Sequence, residues 1–164
     1  MKHYFHRLWH ALLNQDKELA DVHRFHSKFS LIRNKRPSHL TRRKLVERID
    51  CLSEELLEFR EAVEHQSLPD QADALVDLVY FAKGTAVMLG LPWSRLWDDV
   101  QDANMRKVPG RTKRGHRVDV TKPQGWVGPQ TMGILYEAGY AREEWCLDDR
   151  PNSPISEARC HDDT

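Results

Sequence analysis

The stretch EELLEFREAVEHQSLPDQADALVDLVY, residues 54–80, decides how this chain folds. It carries two carboxylate clusters, Glu54-Glu55-x-x-Glu58 and Asp73-x-x-x-Asp77, on two successive segments of helical spacing. The first segment begins upstream. Leu45, Ile49, Leu52, Leu56, Phe59 and Val63 alternate at steps of four and three, which predicts one long helix with a narrow apolar stripe. Thr41 suits its N-cap, and the pattern ends near Glu64. The second segment starts with Pro69 in a first helical turn and runs to about Leu89, with Gly90 as its stop. Its apolar residues cover nearly the whole circumference, the pattern of a buried helix. Asp73 and Asp77 stack one turn apart on it, with Tyr80 and Gly84 continuing the line.

Working outward, Asn14 or Asp16 can cap a first helix through about Ile32, with Leu19, Val22, Phe25, His26 and Phe29 at helical spacing. Residues 33–39, with Pro37, read as a loop. Leu91-Pro92 opens a fourth helix from Trp93 to about Lys107. Pro109, Gly110, Gly115, Pro123, Gly125, Gly128 and Pro129 then break regularity. Residues 108–130 are expected to form an extended arm with a hairpin around Lys113–Val118. A short helix is expected over 131–140, and the polar tail from 148 to 164 reads as disordered. The fold class is all-α: one domain over 1–147, an antiparallel bundle of four to five helices with core 14–107. The third helix is too apolar for four helices to cover, so the bundle is expected to complete itself by homo-oligomerisation.

The 164 residues suffice for one sizeable core, and 25 acidic against 25 basic residues leave no net charge to recruit nucleic acid or membrane. Three cysteines, Cys51, Cys146 and Cys160, have no framework spacing and fit a reducing compartment. The start has neither the apolar stretch nor the cleavage site of a signal peptide. The run 74–91 approaches membrane-span length but carries Asp77 and Lys83 at a cost a span rarely bears. A cytoplasmic protein is expected.

At roughly 100° per residue, Glu55 falls roughly 80° to one side of the second helix's stripe and Glu58 further round that flank, while Glu54 points away. Taken alone these glutamates read as a solvated acidic face. Aspartates on an apolar helix need a compensating cation, either a hard divalent metal or arginines such as Arg48, Arg60 or Arg106. Two Glu and two Asp on facing helices make an oxygen site suited to Mg²⁺ or Mn²⁺ rather than zinc. With metal, such a site can bind phosphate and activate water for in-line attack, a neighbouring carboxylate taking the proton.

In order and spacing these motifs resemble the signature of the all-α nucleoside triphosphate pyrophosphatases, which include MazG proteins, phosphoribosyl-ATP pyrophosphohydrolase and dimeric dUTPases. The compact MazG-like group of phages and bacteria is the more similar. The resemblance runs from Val22-x-x-Phe25-His26 through Gly84-Thr85-Ala86 to Ala103-Asn104-Met105-x-Lys107. It extends to Lys122-Pro123-x-Gly125-Trp126-x-x-Pro129, covering about residues 19–130. The wider pattern ends in Glu-x-x-Asp; here Ala74 stands three before Asp77, so Asp73 takes the fourth place. The resemblance implies hydrolysis of a (d)NTP between the α and β phosphates, giving a (d)NMP and pyrophosphate. It implies Glu55, Glu58 and Asp77 as core metal ligands and Asp73 as a further one. Glu54 is then a second-metal ligand or the base that orients water, with two or more Mg²⁺ or Mn²⁺ ions per site. It also implies a homodimer or dimer of dimers, and dGTP or GTP as substrate if the chain is similar to the phage dGTP-specific MazZ type. A dUTP or pyrimidine deoxynucleotide substrate is the alternative.

Asn104 lies on the inward side of the fourth helix, one turn after Val100, and Lys107 follows at i+3. Together they could hold a phosphate oxygen, or Lys107 could simply complement the helix dipole. The basic arm, with Arg106, Arg111, Lys113, Arg114, Arg117 and Lys122, either clamps a triphosphate, contacts nucleic acid, or is a solvated charge run. Trp126 either stacks on a base or pins the arm to the helices. His3, His6 and His10 lack the partners of a zinc site and read as surface residues; His23 and His26 are candidate flanks of a nucleotide pocket. A helical nucleic-acid-binding or regulatory module, or an oligomerisation domain with an acidic salt-bridge network, are the readings from other classes.

Overall fold

The computed structural model describes residues 16–110 and 119–141. The N-terminal histidines, Arg111, Lys113, Arg114, Arg117, the tip of the expected hairpin and the C-terminal tail with Cys146 and Cys160 lie outside the described residues. The element order is α1 (Lys17–Lys28), α2 (Arg42–Glu64), α3 (Leu68–Met88), α4 (Trp93–Met105), β1 (Val108–Gly110), β2 (Asp119–Thr121) and α5 (Thr131–Glu137). The architecture is helical apart from one small ribbon, β1 and β2 pairing antiparallel with Pro109 opposite Val120. Its strands frame the segment where the hairpin is expected.

Side-chain caps start the first three helices. Asp16, Thr41 and Ser67 accept from the backbone N–H groups of Leu19, Lys44 and Asp70. The helix ends share another device: α1, α2, α3 and α5 each stop at a residue with positive φ, namely Ser30, Gln66, Gly90 and Gly139. In each case the next N–H bonds five residues back, as Leu31 to the His26 carbonyl (2.9 Å) and Leu91 to that of Ala86 (3.0 Å). This stop ends α1 at Lys28, four residues before the expected Ile32. His26 reinforces it, since Nδ1 lies 3.0 Å from the Ile32 carbonyl. Gly90 has a second reason to be glycine. A Cβ there would lie 2.3 Å from the carbonyl oxygen of Arg36, because loop 34–38 crosses the end of α3.

α3 is the central element, with α2 antiparallel along one side and α1 antiparallel along another. Small residues allow the approach at Ala62, Ala74, Gly84 and Ala86. The row of α2 that meets α3 is Arg48, Leu52, Glu55, Phe59 and Ala62, to one side of the expected stripe. Ile49, Leu56 and Val63, on the far side of that stripe, remain 59%, 54% and 48% exposed.

The expectation that α3 is buried all round is overturned for its N-terminal half. From Lys83 to Met88 the helix is mostly buried, yet Leu75, Val76 and Val79 are exposed, as are Asp73 and Asp77. The physical reason is that Leu75 and Val79 lie on a third side of α3, away from the rows that meet α1 and α2, and among the described residues only those two helices pack extensively against it. The charge that is buried on α3 is Lys83, whose Nζ donates to both oxygens of Asp16 (2.8 and 2.9 Å) and to Glu18 (2.6 Å). Burial alone would lower the Lys83 pKa, but the bonds from Asp16 and Glu18 outweigh it and the net shift is upward. Among the described residues no single helix is long and apolar enough to cross a membrane.

Candidate active site

The carboxylate cluster is built on α2 and α3. Glu55 is its centre, because the α2 row that meets α3 passes through it two turns after Arg48. Arg48 sets that rotation: Nε donates to Thr85 Oγ1 (3.0 Å) and Nη2 to the Phe81 carbonyl (2.8 Å), with the guanidinium over the Phe81 ring. At the other end of the pair, Gln71 donates to the Ala62 carbonyl (3.3 Å). The Glu55 carboxyl is covered by its immediate neighbours, with the residue 8% exposed. Its Oε2 has no hydrogen-bond partner among the described residues. Burial raises the Glu55 pKa first, and the negative charges of Glu58, Asp77, Glu54 and Asp73 raise it further. That list of neighbours is the set of carboxylates the sequence nominates.

The other four are exposed, which corrects the expectation of aspartates buried on α3. The compensation problem falls on Glu55 instead. The arginine alternative is not realised, for none of the five carboxylates forms an ion pair among the described residues. Arg48 is committed to Thr85 and Phe81, and Arg106 donates to the Val127 carbonyl. Among the described residues no group of three or more His, Cys, Asp or Glu side chains is already arranged to hold a metal ion. A buried, unsatisfied carboxylate oxygen among four further carboxylates nevertheless fits a hard cation by its chemistry.

The chain carries a family signal over the same elements. Residues 22–104 match the family model for phosphoribosyl-ATP pyrophosphohydrolase. The chain belongs to this family. Its HisE-like domain is part of the all-α NTP pyrophosphatase, MazG-like superfamily, so the chain has hydrolase chemistry of the nucleotide pyrophosphohydrolase kind. No curated protein gives a significant match. The matched span of the phosphoribosyl-ATP pyrophosphohydrolase family includes all five carboxylates and ends at Asn104, before the basic arm.

The remaining site candidates sit on the α4 side. Asn104 is exposed, not inward; Ala103 holds the buried position, and the Asn104 amide oxygen accepts from Lys107 (2.7 Å). Of the two readings of Trp126, the structure shows the pin: its indole N–H donates to the Ala103 carbonyl (2.8 Å). Lys122 and Lys107 lie over the same ring, 4.5 and 5.9 Å from its centroid. No hydrogen bond or ion pair links this cluster to the five carboxylates among the described residues. His26 is buried and structural, its Nε2 beside Gly84, while His23 is exposed. Sequence reasoning missed Arg48 as the latch of α2 and Lys83 as the anchor of α1. An arginine two turns before Glu55 and a lysine inside an apolar run were the available signals.

Proposed function

We propose that the chain is a metal-dependent nucleotide pyrophosphohydrolase that converts a (d)NTP and water to a (d)NMP and pyrophosphate. The observation that carries this reading is Glu55 Oε2, buried among four carboxylates with neither a hydrogen-bond partner nor a cation paired to any of them among the described residues. Glu55, Glu58 and Asp77 would hold Mg²⁺ or Mn²⁺, with Asp73 and Glu54 serving a second ion. The bound cations supply charge neutralisation for the phosphates and an acidified water. The chain's own residues do the rest. The water oxygen bonds to the α-phosphorus as the bond to the α-β bridging oxygen breaks, and the electron pair leaves with pyrophosphate. Glu54, where it does not serve the second ion, would take the water proton.

Lys107 and Lys122, both within cation–π range of Trp126, would meet the β and γ phosphates together with Arg111. Asn104 supports them by fixing the Lys107 ammonium. Among the described residues no hydrogen bond or ion pair joins these lysines to the carboxylates, and we propose that they serve the corner of a second copy. The exposed row of Ile49, Leu56 and Val63, with Leu75, Val76 and Val79, is the face that would bring two copies together. Resemblance to the phage MazG-like proteins favours a purine deoxynucleotide, dGTP first, in a cytoplasmic setting.

The test is a panel of individual NTPs and dNTPs with Mg²⁺ or Mn²⁺, following monophosphate and pyrophosphate release by wild type, Glu55→Gln and Asp77→Asn. Release of pyrophosphate by wild type and its loss in both variants is expected. Inactivity across the panel, or full activity in the variants, would remove this reading.

A further inference from the structure

The carboxylate corner has an aromatic wall. Phe25 on α1 and Phe29 at its C-cap, one turn apart, pack with ring centroids 4.7 Å apart, and Phe25 meets Tyr80 of α3 edge-on at 5.6 Å and 90°. Tyr80 lies one turn beyond Asp77. At roughly 100° per residue, Asp77 falls between the α3 row that meets α2 (Leu78, Phe81, Thr85) and the row that meets α1 (Tyr80, Gly84, Val87). The α2 glutamates therefore flank Asp77 on one side and the aromatic trio on the other. Because α1 runs antiparallel to α3, Phe29 extends the wall towards the Asp77 end.

These rings are not core. Val22 and His26 close the contact of α1 with α3 at 1% and 4% exposure, whereas Phe25 and Phe29 are 41% and 52% exposed. Lys28 adds a cation 5.1 Å from the Phe29 centroid, and the Tyr80 hydroxyl makes no hydrogen bond among the described residues. Partly exposed rings, a cation and a hydroxyl without a hydrogen bond among the described residues, beside the carboxylate corner, are what a heterocyclic base needs for stacking and edge recognition.

We propose that Phe25, Phe29 and Tyr80 form the stacking surface for the base of the nucleotide held at the carboxylates, and so determine base selectivity. This rests on the pyrophosphohydrolase reading above. The Tyr80 hydroxyl addresses a polar edge of the base or sugar, while the two phenyl rings supply affinity without edge recognition.

The test is steady-state kinetics on purine and pyrimidine triphosphates with wild type, Phe25→Leu, Phe29→Leu and Tyr80→Phe, using inorganic tripolyphosphate as a base-free competitor. The leucine variants are expected to raise KM about tenfold with kcat within about threefold. The preference among bases should narrow, and the inhibition constant of tripolyphosphate should stay unchanged. If Phe25→Leu does not fold, Phe29→Leu at the exposed helix end carries the test. Unchanged KM and base preference in active variants would overturn the proposal, as would tripolyphosphate inhibition weakening in step with KM. Wild type that hydrolyses no nucleotide would instead overturn the reaction on which the proposal rests.

Discussion

Arg48 and Thr85 join α2 to α3 through a single side-chain hydrogen bond of 3.0 Å, and that bond lies two turns from Glu55 on the same face of α2. A rotation of α2 by one residue would turn Glu55 to solvent and bring Glu54 or Leu56 inward. The latch therefore links a helix contact to the chemistry of the corner. Arg48→Ala removes the bond to Thr85, the bond to the Phe81 carbonyl and the stacking on the Phe81 ring. A loss of about 2 kcal/mol is expected. Arg48→Lys should recover little of it, because an ammonium cannot reproduce the planar fork. Thermal melts of the two variants check the stability. A smaller melting shift on adding Mn²⁺ than wild type shows would confirm that the latch also positions Glu55.

Glu55 itself makes a pH-dependent prediction whose sign is opposite to that of a paired carboxylate. Its pKa is raised by burial and by its acidic neighbours, so the folded state favours the protonated form. Between the unfolded pKa, near 4.5, and the higher folded value the native state binds more protons than the unfolded chain. Stability of the metal-free protein therefore falls as pH rises through that window. Glu55→Gln should flatten this fall and raise the melting temperature in chelator at neutral pH, while losing the stabilisation by Mg²⁺ or Mn²⁺ that wild type gains. Melting curves at several pH values, with and without chelator, measure both effects. A variant less stable than wild type in chelator would contradict the account.

How much of this was legible in the sequence depends on which physical device ended or covered each element. The starts of α1, α2 and α3 were readable because Asp16, Thr41 and the Ser67–Pro69 turn are polar or proline signals with local causes. The end of α3 was readable because Gly90 must be glycine. The ends of α1 and α2 use Ser30 and Gln66 in the left-handed conformation, residues with no strong preference for it; α2 was placed correctly because its apolar pattern also stopped there. On α1 the apolar pattern runs on to Ile32, past the true end at Lys28. The apolar pattern of α3 does not report how many of its sides have a partner: α1 and α2 cover two, and Leu75 and Val79 lie on a third. The carboxylate set was read from residue types and order, and its mutual proximity holds around Glu55. Which member is buried depends on the rotation of α2, set by Arg48, and no stripe of apolar residues reports a latch made by an arginine.

Lys83 anchors the start of α1 through Asp16 and Glu18, and this anchor is independent of the active corner. Lys83→Met keeps the stem and removes the ammonium, leaving the two carboxylates without their partner. Asp16 also caps α1, and Glu18 is largely exposed, so the loss should be moderate, about 2 kcal/mol. For a chain of this size that lowers the melting temperature by roughly 4–8 °C. The Asp16 pKa is depressed: burial opposes the shift, but the bonds from Lys83 and the Leu19 N–H outweigh it. Its contribution is therefore present above the unfolded value of 3.8 and lost as pH falls through the lower folded one. Acid titration of wild type and Lys83→Met should show the difference in stability shrinking below that range.

Trp126 is the point where the arm meets α4, and its two functions can be separated by substitution. Trp126→Phe keeps an aromatic face for Lys122 and Lys107 but loses the indole bond to the Ala103 carbonyl. It should cost about 1 kcal/mol and leave KM for the triphosphate close to wild type. Trp126→Ala removes the face as well, so both lysines lose their cation–π contact. If that placement is what brings them to the phosphates, Trp126→Ala and Lys122→Gln act on one interaction. Each should raise KM by about fivefold, and the double variant should be little worse than either, a non-additivity typical of residues that share a contact. Fully additive effects would mean that the ring fixes the arm without positioning Lys122, and the lysine would then act from a place the indole does not determine.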